Sequence, residues 1–315
     1  MSALPPITIA VEWDNATDVE PRWVERHLNA LQGELLRCHA RFAALPIVAM
    51  LHDPERVSEH SIRARIAQHA PKLADVARVE LRALPGADYC GLKTAGIAAA
   101  ETELVVLVDS DTAPQPGWLD ALLAPFADPE VVAVAGFTTI AFHDLASRVC
   151  ALAWVYHLPS EAGAPLWKNA MHTNNLALRR DYFRAHPWRW PHGGKKGGAQ
   201  FLRDVEANGK RWVRAPNARL LHAPHRSAFQ FALRGWTAGV DQDWSARKKV
   251  GDARAARAAY ALRHFARNAR RALARVVTKR REVGLPAWQL PAALGLALAH
   301  WSATLARQLA CAVRR

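Results

Sequence analysis

Cysteine is scarce in this chain of 315 residues: Cys38, Cys90, Cys150 and Cys311 lie far apart, with no Cys-x-x-Cys pair. That spacing excludes a disulfide framework and a zinc ribbon, and it predicts reduced, partly buried thiols in a cytosolic protein. The opening MSALPPITIAVEW lacks a basic region followed by a long apolar core, so no cleaved export signal is expected. No internal repeat is visible. Half of the residues are hydrophobic, which rules out a disordered tail and is enough to bury a full core. Acidic residues are missing from one region above all. Between Arg247 and Arg281 about 13 basic residues face a single acid, Asp252. Lys and Arg total 42 against 28 Asp and Glu, so most of the net +14 is expected in this stretch, with the remainder of the chain near neutral. Whatever the basic stretch binds is therefore separate from what the central region works on.

What is present is alternation. ITIAV (Ile7 to Val11), PIVAML (Pro46 to Leu51), VELRAL and LVVLV read as strands. Between them, Val24 to Leu36, Val57 to Val76 and the segment opening with TAGIAAAE carry helical spacing. Strand and helix in this order predict an α/β fold, a doubly wound and mostly parallel sheet flanked by helices. Residues 1–245 are expected to form this domain and 246–315 a basic helical appendage. In such sheets ligands sit beyond the carboxyl ends of the strands. Glu12, Asp53 and the pair Asp109 and Asp111 all follow strands directly, so they should converge on one edge.

The pair stands in VVLVDSDTAPQPGWL, where two carboxylates one residue apart close a buried strand. Their repulsion and desolvation need an offset. A shared divalent cation with oxygen ligands, Mg²⁺ or Mn²⁺, would supply it. A phosphate-attacking aspartate is a second possibility. It calls for threonine two places after the second aspartate, where Ala113 stands, and for the first strand, not the fourth. The third possibility is a solvated turn capping the next helix. PHGGKKGG (Pro191 to Gly198) reads equally as a mobile loop over an anion site or a plain surface loop.

The stretch YCGLKTAGIAAAETELVVLVDSDTAPQPGWLDALL resembles family-two glycosyltransferases of the GT-A fold: a basic residue, a small helix with Gly-Ile, a hydrophobic strand, Asp-x-Asp, then Pro-Gly-Trp-Leu. TNNLALRRDYF, NGKRWVRAPNARLLHAPHRS and the N-terminal VEWDN extend the resemblance over about residues 6–245. It implies metal-dependent, inverting transfer of a sugar from a nucleoside diphosphate, UDP ahead of GDP, to a glycan or lipid-linked acceptor. Mn²⁺ or Mg²⁺ would be held by Asp111, with Asp109 and His222 as further ligands and His225 as a rival to His222. The donor would meet Val11, Glu12, Asp53, Lys93, Asp109 and Ser110. For Glu12 and Asp53, capping or turn chemistry is the alternative, and for Lys93 a solvated position. The acceptor would meet Trp118, Asn174, Asn175 and Trp190. Trp188 is a further sugar-stacking candidate, and Trp236 is expected in the core.

One element of the family pattern is missing. Where an acidic pair would deprotonate the acceptor, GGAQFLRDVEANG places Ala199 and Gln200, and an amide is no base near neutral pH. Gln200 marks the catalytic position; Asp204 and Glu206 are replacements expected to face solvent. A non-catalytic sugar-nucleotide-binding or scaffolding protein is therefore the rival reading.

In the tail, Leu262, Phe265, Ala269, Leu273 and Val276 recur at helical spacing beside Arg263, Arg267, Arg271 and Arg275. Val283 to Ala306 then contains no Asp, Glu, Lys or Arg. This predicts helices lying on an anionic membrane surface, with a spanning helix or a packed helical cap as alternatives. The protein is thus expected at the cytoplasmic face of the membrane, bound peripherally. Nucleic acid is not an expected partner, since no binding fold for it is recognisable.

Overall fold

The computed structural model describes residues 3–154, 156–161, 172–188 and 197–313, with 197–200 as helical backbone. These residues form two compact units: 3–139, 160–161, 172–188 and 197–223 in one, and 140–154, 156–159 and 224–313 in the other. The boundary expected at 245/246 falls inside a continuous helix, Ala228–Val250, which ends only where Gly251 turns to φ 76°.

The first unit begins with β1 (Ile7–Glu12), α1 (Pro21–Cys38), β2 (Ile47–His52), α2 (Glu59–His69), α3 (Leu73–Val76) and β3 (Arg78–Ala83). It continues through α4 (Tyr89–Ala98), β4 (Leu104–Asp109), β5 (Thr112–Pro114), α5 (Trp118–Leu123) and β6 (Val131–Ile140). After α6 (Leu145–Ala153), which belongs to the second unit, it is completed by β7 (Asn175–Arg179), α7 (Arg180–Ala185), α8 (Gly197–Ala207) and β8 (Arg211–His222). The single helix expected over Val57 to Val76 is broken into α2 and α3, because the chain leaves helical geometry at Ala70, just before Pro71.

The eight strands form one mixed sheet in the order β3-β2-β1-β4-β7-β6-β8-β5. β1, β2 and β4 are apolar runs buried along their whole length, as strands covered on both faces must be. β3, β2, β1 and β4 run parallel; β7 turns antiparallel to β4, β6 to β7, and β5 to β8. Register pairs Glu12 with Asp109 and Thr112 with His222, which brings the carboxyl ends of β1, β4 and β8 to one place.

Helix α4 starts five residues before the expected TAGIAAAE, capped by Asp88, whose carboxylate accepts from the Cys90 and Gly91 amides. Gly96 lets it lie close on the sheet. A Cβ there would stand 2.5 Å from Leu51 Cδ1 and 3.3 Å from Ala10 Cβ. Lys93 and Tyr89 occupy the same side one and two turns earlier, so this close approach also delivers them to the strand ends.

The second unit is helical: α6, α9 (Ala228–Val250), α10 (Arg254–Lys279) and α11 (Leu290–Val313) pack around a shared apolar core. α9 and α11 touch through glycines: a Cβ at Gly235 would meet His300 O at 2.2 Å, and one at Gly239 would meet Thr304 O at 2.8 Å. Among the described residues, no helix is long and apolar enough to cross a membrane. The uncharged run from Val283 is interrupted by Gly284 at φ 65° and by Pro286, and helix resumes only at Leu290. Two of its polar residues face inward, His300 donating to Phe231 O (2.8 Å) and Thr304 to Gly235 O (2.9 Å). The buried side of α10 carries Arg257, Ala261, His264, Ala269, Ala272 and Val276, with Phe265 and Leu273 partly buried against the same core, while Leu262, expected on that side, is 54% exposed. At the N-terminal end of α10 the inward position is taken by Arg257, in a paired contact with Asp243 on α9. From Phe265 onward the expected apolar row is therefore the packing face of α10, turned against the unit's own core.

Candidate active site

The two aspartates are served by different partners. Lys93 Nζ forms a buried ion pair with Asp109 Oδ1 and also donates to Tyr89 Oη (2.6 Å) and Thr173 O (2.9 Å). Tyr89 donates to Asp109 Oδ2 (2.9 Å), and Asn15 Nδ2 adds a longer contact to the same oxygen (3.4 Å). An ammonium has three donors, and all three are taken, so Lys93 has none to offer a phosphate. The lysine expected to meet phosphate or solvent is 1% exposed and neutralises Asp109 from within. The repulsion between the carboxylates therefore needs no shared metal to offset it at Asp109.

Asp111 faces a histidine. Its Oδ2 lies 3.5 Å from His222 Nε2, and its backbone oxygen accepts from the Ala223 amide (2.8 Å). His222 Nδ1 lies 2.5 Å from Ala223 O, and a carbonyl only accepts, so Nδ1 carries a proton. Nε2 then faces the carboxylate either as a second N–H or as a lone pair with a cation between. A carboxylate oxygen and an imidazole nitrogen are a donor set for Mn²⁺, and the carboxylate suits Mg²⁺. Among the described residues no three His, Cys, Asp or Glu side chains converge to hold a metal alone. The pair would hold such an ion only with further ligands from outside these side chains, and Asp109 is occupied elsewhere. His225 is not a rival: it packs on Trp154 and Phe231 in the helical unit.

The loop carrying Asp111 is anchored on every side. Thr112 Oγ1 donates to Asp109 O (2.7 Å), the Ser110 amide to Glu12 O (2.9 Å), and Ser110 Oγ to Trp13 O (3.3 Å). His27, fully buried on α1, donates from Nδ1 to Thr112 O at 2.6 Å, and burial holds its pKa down at about 4, so its ring is neutral.

Several expected ligands are engaged within the fold itself. Val11 is interior, its backbone held by β2 and β4. Ser110 is fully buried in the anchoring just described. Glu12 is fully buried and accepts from the Asn15 amide (3.2 Å), capping the turn after β1. Asp53 accepts from the Glu55 amide (3.0 Å), the turn chemistry held open for it, while its own amide donates to Asp14 (3.0 Å). Burial raises the pKa of Asp14 against the lowering effects of the Asp53 amide and Arg56. Trp118 and Asn175, expected at the acceptor, are core: Trp118 Nε1 donates to Asn175 Oδ1 (2.9 Å), and Asn175 Nδ2 to Ala218 O (2.9 Å). Asn174 is 2% exposed and accepts from Thr138 Oγ1 (3.4 Å). Trp188 packs on Phe183 and Phe201 in the sheet unit's core. Trp190, the Gly-Lys-rich segment from Pro191 to Lys196 and the side chains of Ala199 and Gln200 lie outside the described residues. Glu206 is exposed, as expected, and accepts from Trp212 Nε1 (2.9 Å); Asp204 is half-buried.

Tyr89, Thr173, Asn15 and His27 are the contributors that sequence reasoning passed over. Tyr89 was legible, since it stands four residues before Lys93 on one helix and so shares its face.

Residues 64–186 match the family model for glycosyl transferase family 2. That segment, less than half of the chain, is similar to glycosyl transferase family 2. It contains α4, β4, Asp109 and Asp111. A stretch of 43 residues is 46% identical to the Pre-mycofactocin glycosyltransferase of Mycobacterium tuberculosis, in strains CDC 1551 / Oshkosh and ATCC 25618 / H37Rv. That match covers 14% of this chain and 9% of the relative, so the chain spans less than a tenth of that protein's length in common with it. The fold is also that of the mannosyltransferase PcManGT from Pyrobaculum calidifontis, solved in complex with GDP-Man and Mn²⁺. The TM-score is 0.57 at 16% identity, over 97% of this chain and 87% of that one. The mixed sheet with flanking helices is thus a GT-A glycosyltransferase fold.

Proposed function

We propose that this chain transfers a sugar from a nucleoside-diphosphate donor to a glycan or lipid-linked acceptor at the cytoplasmic membrane face, with inversion and with Mn²⁺ or Mg²⁺ bound by Asp111 and His222. The observation that carries the proposal is the approach of those two side chains at the carboxyl ends of the strands, on a loop held from all sides. When bound, the metal supplies charge stabilisation to the departing diphosphate. The protein's own part is to keep that charge well placed. Lys93 and Tyr89 fix Asp109, His27 fixes Thr112, and Asp111 between them is held without reorganisation. Asp109 acts here as a positioning residue for Asp111.

UDP was expected ahead of GDP; the mannosyltransferase of like fold holds GDP-Man, so both bases belong in the test. Thermal shift with UDP or GDP, with and without Mn²⁺, reads binding. At about a hundred times Kd a ligand adds about 2.7 kcal/mol of apparent stability. The prediction is a metal-dependent rise in melting temperature that Asp111→Asn abolishes with the fold intact. An unchanged rise in that variant overturns the metal role. Binding without release of nucleoside diphosphate from a panel of sugar donors would favour the rival non-catalytic reading, which Gln200 motivates.

A further inference from the structure

Charge and exposed apolar surface coincide in the helical unit. Residues 224–315 carry 18 of the 42 Lys and Arg but only 4 of the 28 Asp and Glu, so the whole excess of +14 resides there and residues 1–223 are neutral. On α9, Phe229 is 75% exposed, Leu233 47%, Trp236 39% and Val240 41%. Their spacing of four, three and four places all four within about 60° of arc and along about 16 Å of the helix. Trp244 extends the row by one turn.

Cations frame this row. Arg226 precedes it, Lys248 and Lys249 follow it, and all three are exposed. Arg307 lies over the Trp236 ring (5.3 Å to its centroid) and Lys248 over the Trp244 ring (4.4 Å). Aliphatic and phenyl groups in a line, indoles at the margin and ammonium or guanidinium groups beside the indoles suit a boundary between hydrocarbon and anionic headgroups. A second copy of this chain is a poor occupant, because pairing two such faces brings like charges together. A nucleic acid leaves Leu233 and Val240 facing phosphates. α10 offers no comparable row: its exposed large apolar residues are Leu262 and Val277, fifteen positions apart.

We infer that α9 is the docking face, and that it lies flat on an anionic lipid bilayer with Phe229, Leu233, Trp236 and Val240 in the acyl boundary. This relocates the membrane contact from the expected tail helices to one that begins before them. The inference deepens the membrane-surface part of the proposed function and rests on that part alone. Nucleotide binding in the absence of lipid tests the other part separately.

The test is flotation of the full chain with vesicles of phosphatidylcholine alone or of phosphatidylcholine with about a third phosphatidylglycerol. The wild-type protein is expected to float with the anionic vesicles only, and less so at high salt. The variant Phe229→Ser, Leu233→Ser, Trp236→Ser is expected to bind about tenfold more weakly or worse, with unchanged far-UV circular dichroism and unchanged nucleotide-induced thermal shift. Should the triple variant misfold, Phe229→Ser alone decides, with an expected loss of several-fold. Trp288→Ser, at a residue 78% exposed and outside α9, serves as the control and should bind like wild type. Three outcomes overturn the inference: no flotation of the wild type, equal flotation of the Phe229 and triple variants, or a wild-type dimer by light scattering that the triple variant dissolves.

Discussion

The sheet unit and the helical unit contain the same two devices put to different uses. Each buries a cation against an aspartate, Lys93 on Asp109 in one and Arg257 on Asp243 in the other. Each also buries a histidine whose Nδ1 donates to a backbone carbonyl, His27 to Thr112 and His300 to Phe231, and burial holds both pKa values down at about 4. In the helical unit these devices tie helix to helix: Arg257 joins α10 to Asp243 on α9 and to Cys311 O on α11 (2.8 Å), and His300 joins α11 to α9. In the sheet unit both devices close on residues 109–112, on either side of Asp111. Buried polarity is architecture in the first case. In the second it immobilises the carboxylate that faces His222.

The largest effect should come from breaking the lysine pair. Lys93→Met leaves Asp109 buried without its cation and should cost about 3–5 kcal/mol in urea denaturation. Arg257→Met should cost less, because Arg247 Nε remains 3.2 Å from Asp243. Equal or larger loss in Arg257→Met would erase the distinction. Acid should act on both units in the same direction. A histidine kept neutral at about 4 when folded takes up protons near 6.5 when unfolded, so stability is full above about pH 6.5 and falls as pH drops toward 4. The loss should reach up to about 3 kcal/mol for each histidine, and urea midpoints at pH 7, 5.5 and 4 measure it. His300→Gln should flatten that slope while leaving the nucleotide-induced shift at pH 7 in place. The smallest effect sharpens the comparison at the level of packing. Gly235→Ala pushes a methyl against a backbone carbonyl and should cost about 1–3 kcal/mol, whereas Gly96→Ala meets the end of the Leu51 side chain and should cost less.

Much of the sheet was legible because strand signals are local. Ile7–Glu12, Ile47–His52, Arg78–Ala83 and Leu104–Asp109 stand where apolar and β-branched runs placed them. His222 was legible at the end of its strand for the same reason, and it does lie beside Asp111. The partners were not. Nothing local marks Lys93 as buried, because the carboxylate that makes burial tolerable lies sixteen residues on, across a helix-strand contact. Trp118 and Asn175 looked like sugar ligands by type and context, yet they satisfy each other inside the core. Trp236 was expected in the core and is on the surface, since Gly235 and Gly239 are the residues that α11 packs against.

The amino-acid order alone determined the elements, the gathering of acids at strand ends and the placing of all excess positive charge toward the C-terminus. These follow from periodicity and composition, which act over a few residues at a time. Tertiary structure alone decided which aspartate is neutralised from within and which is left facing a histidine, and which side of α9 is left exposed. Those outcomes depend on the desolvation and close packing of groups far apart in the chain, and they are settled only when the sheet and the helices close on their own cores.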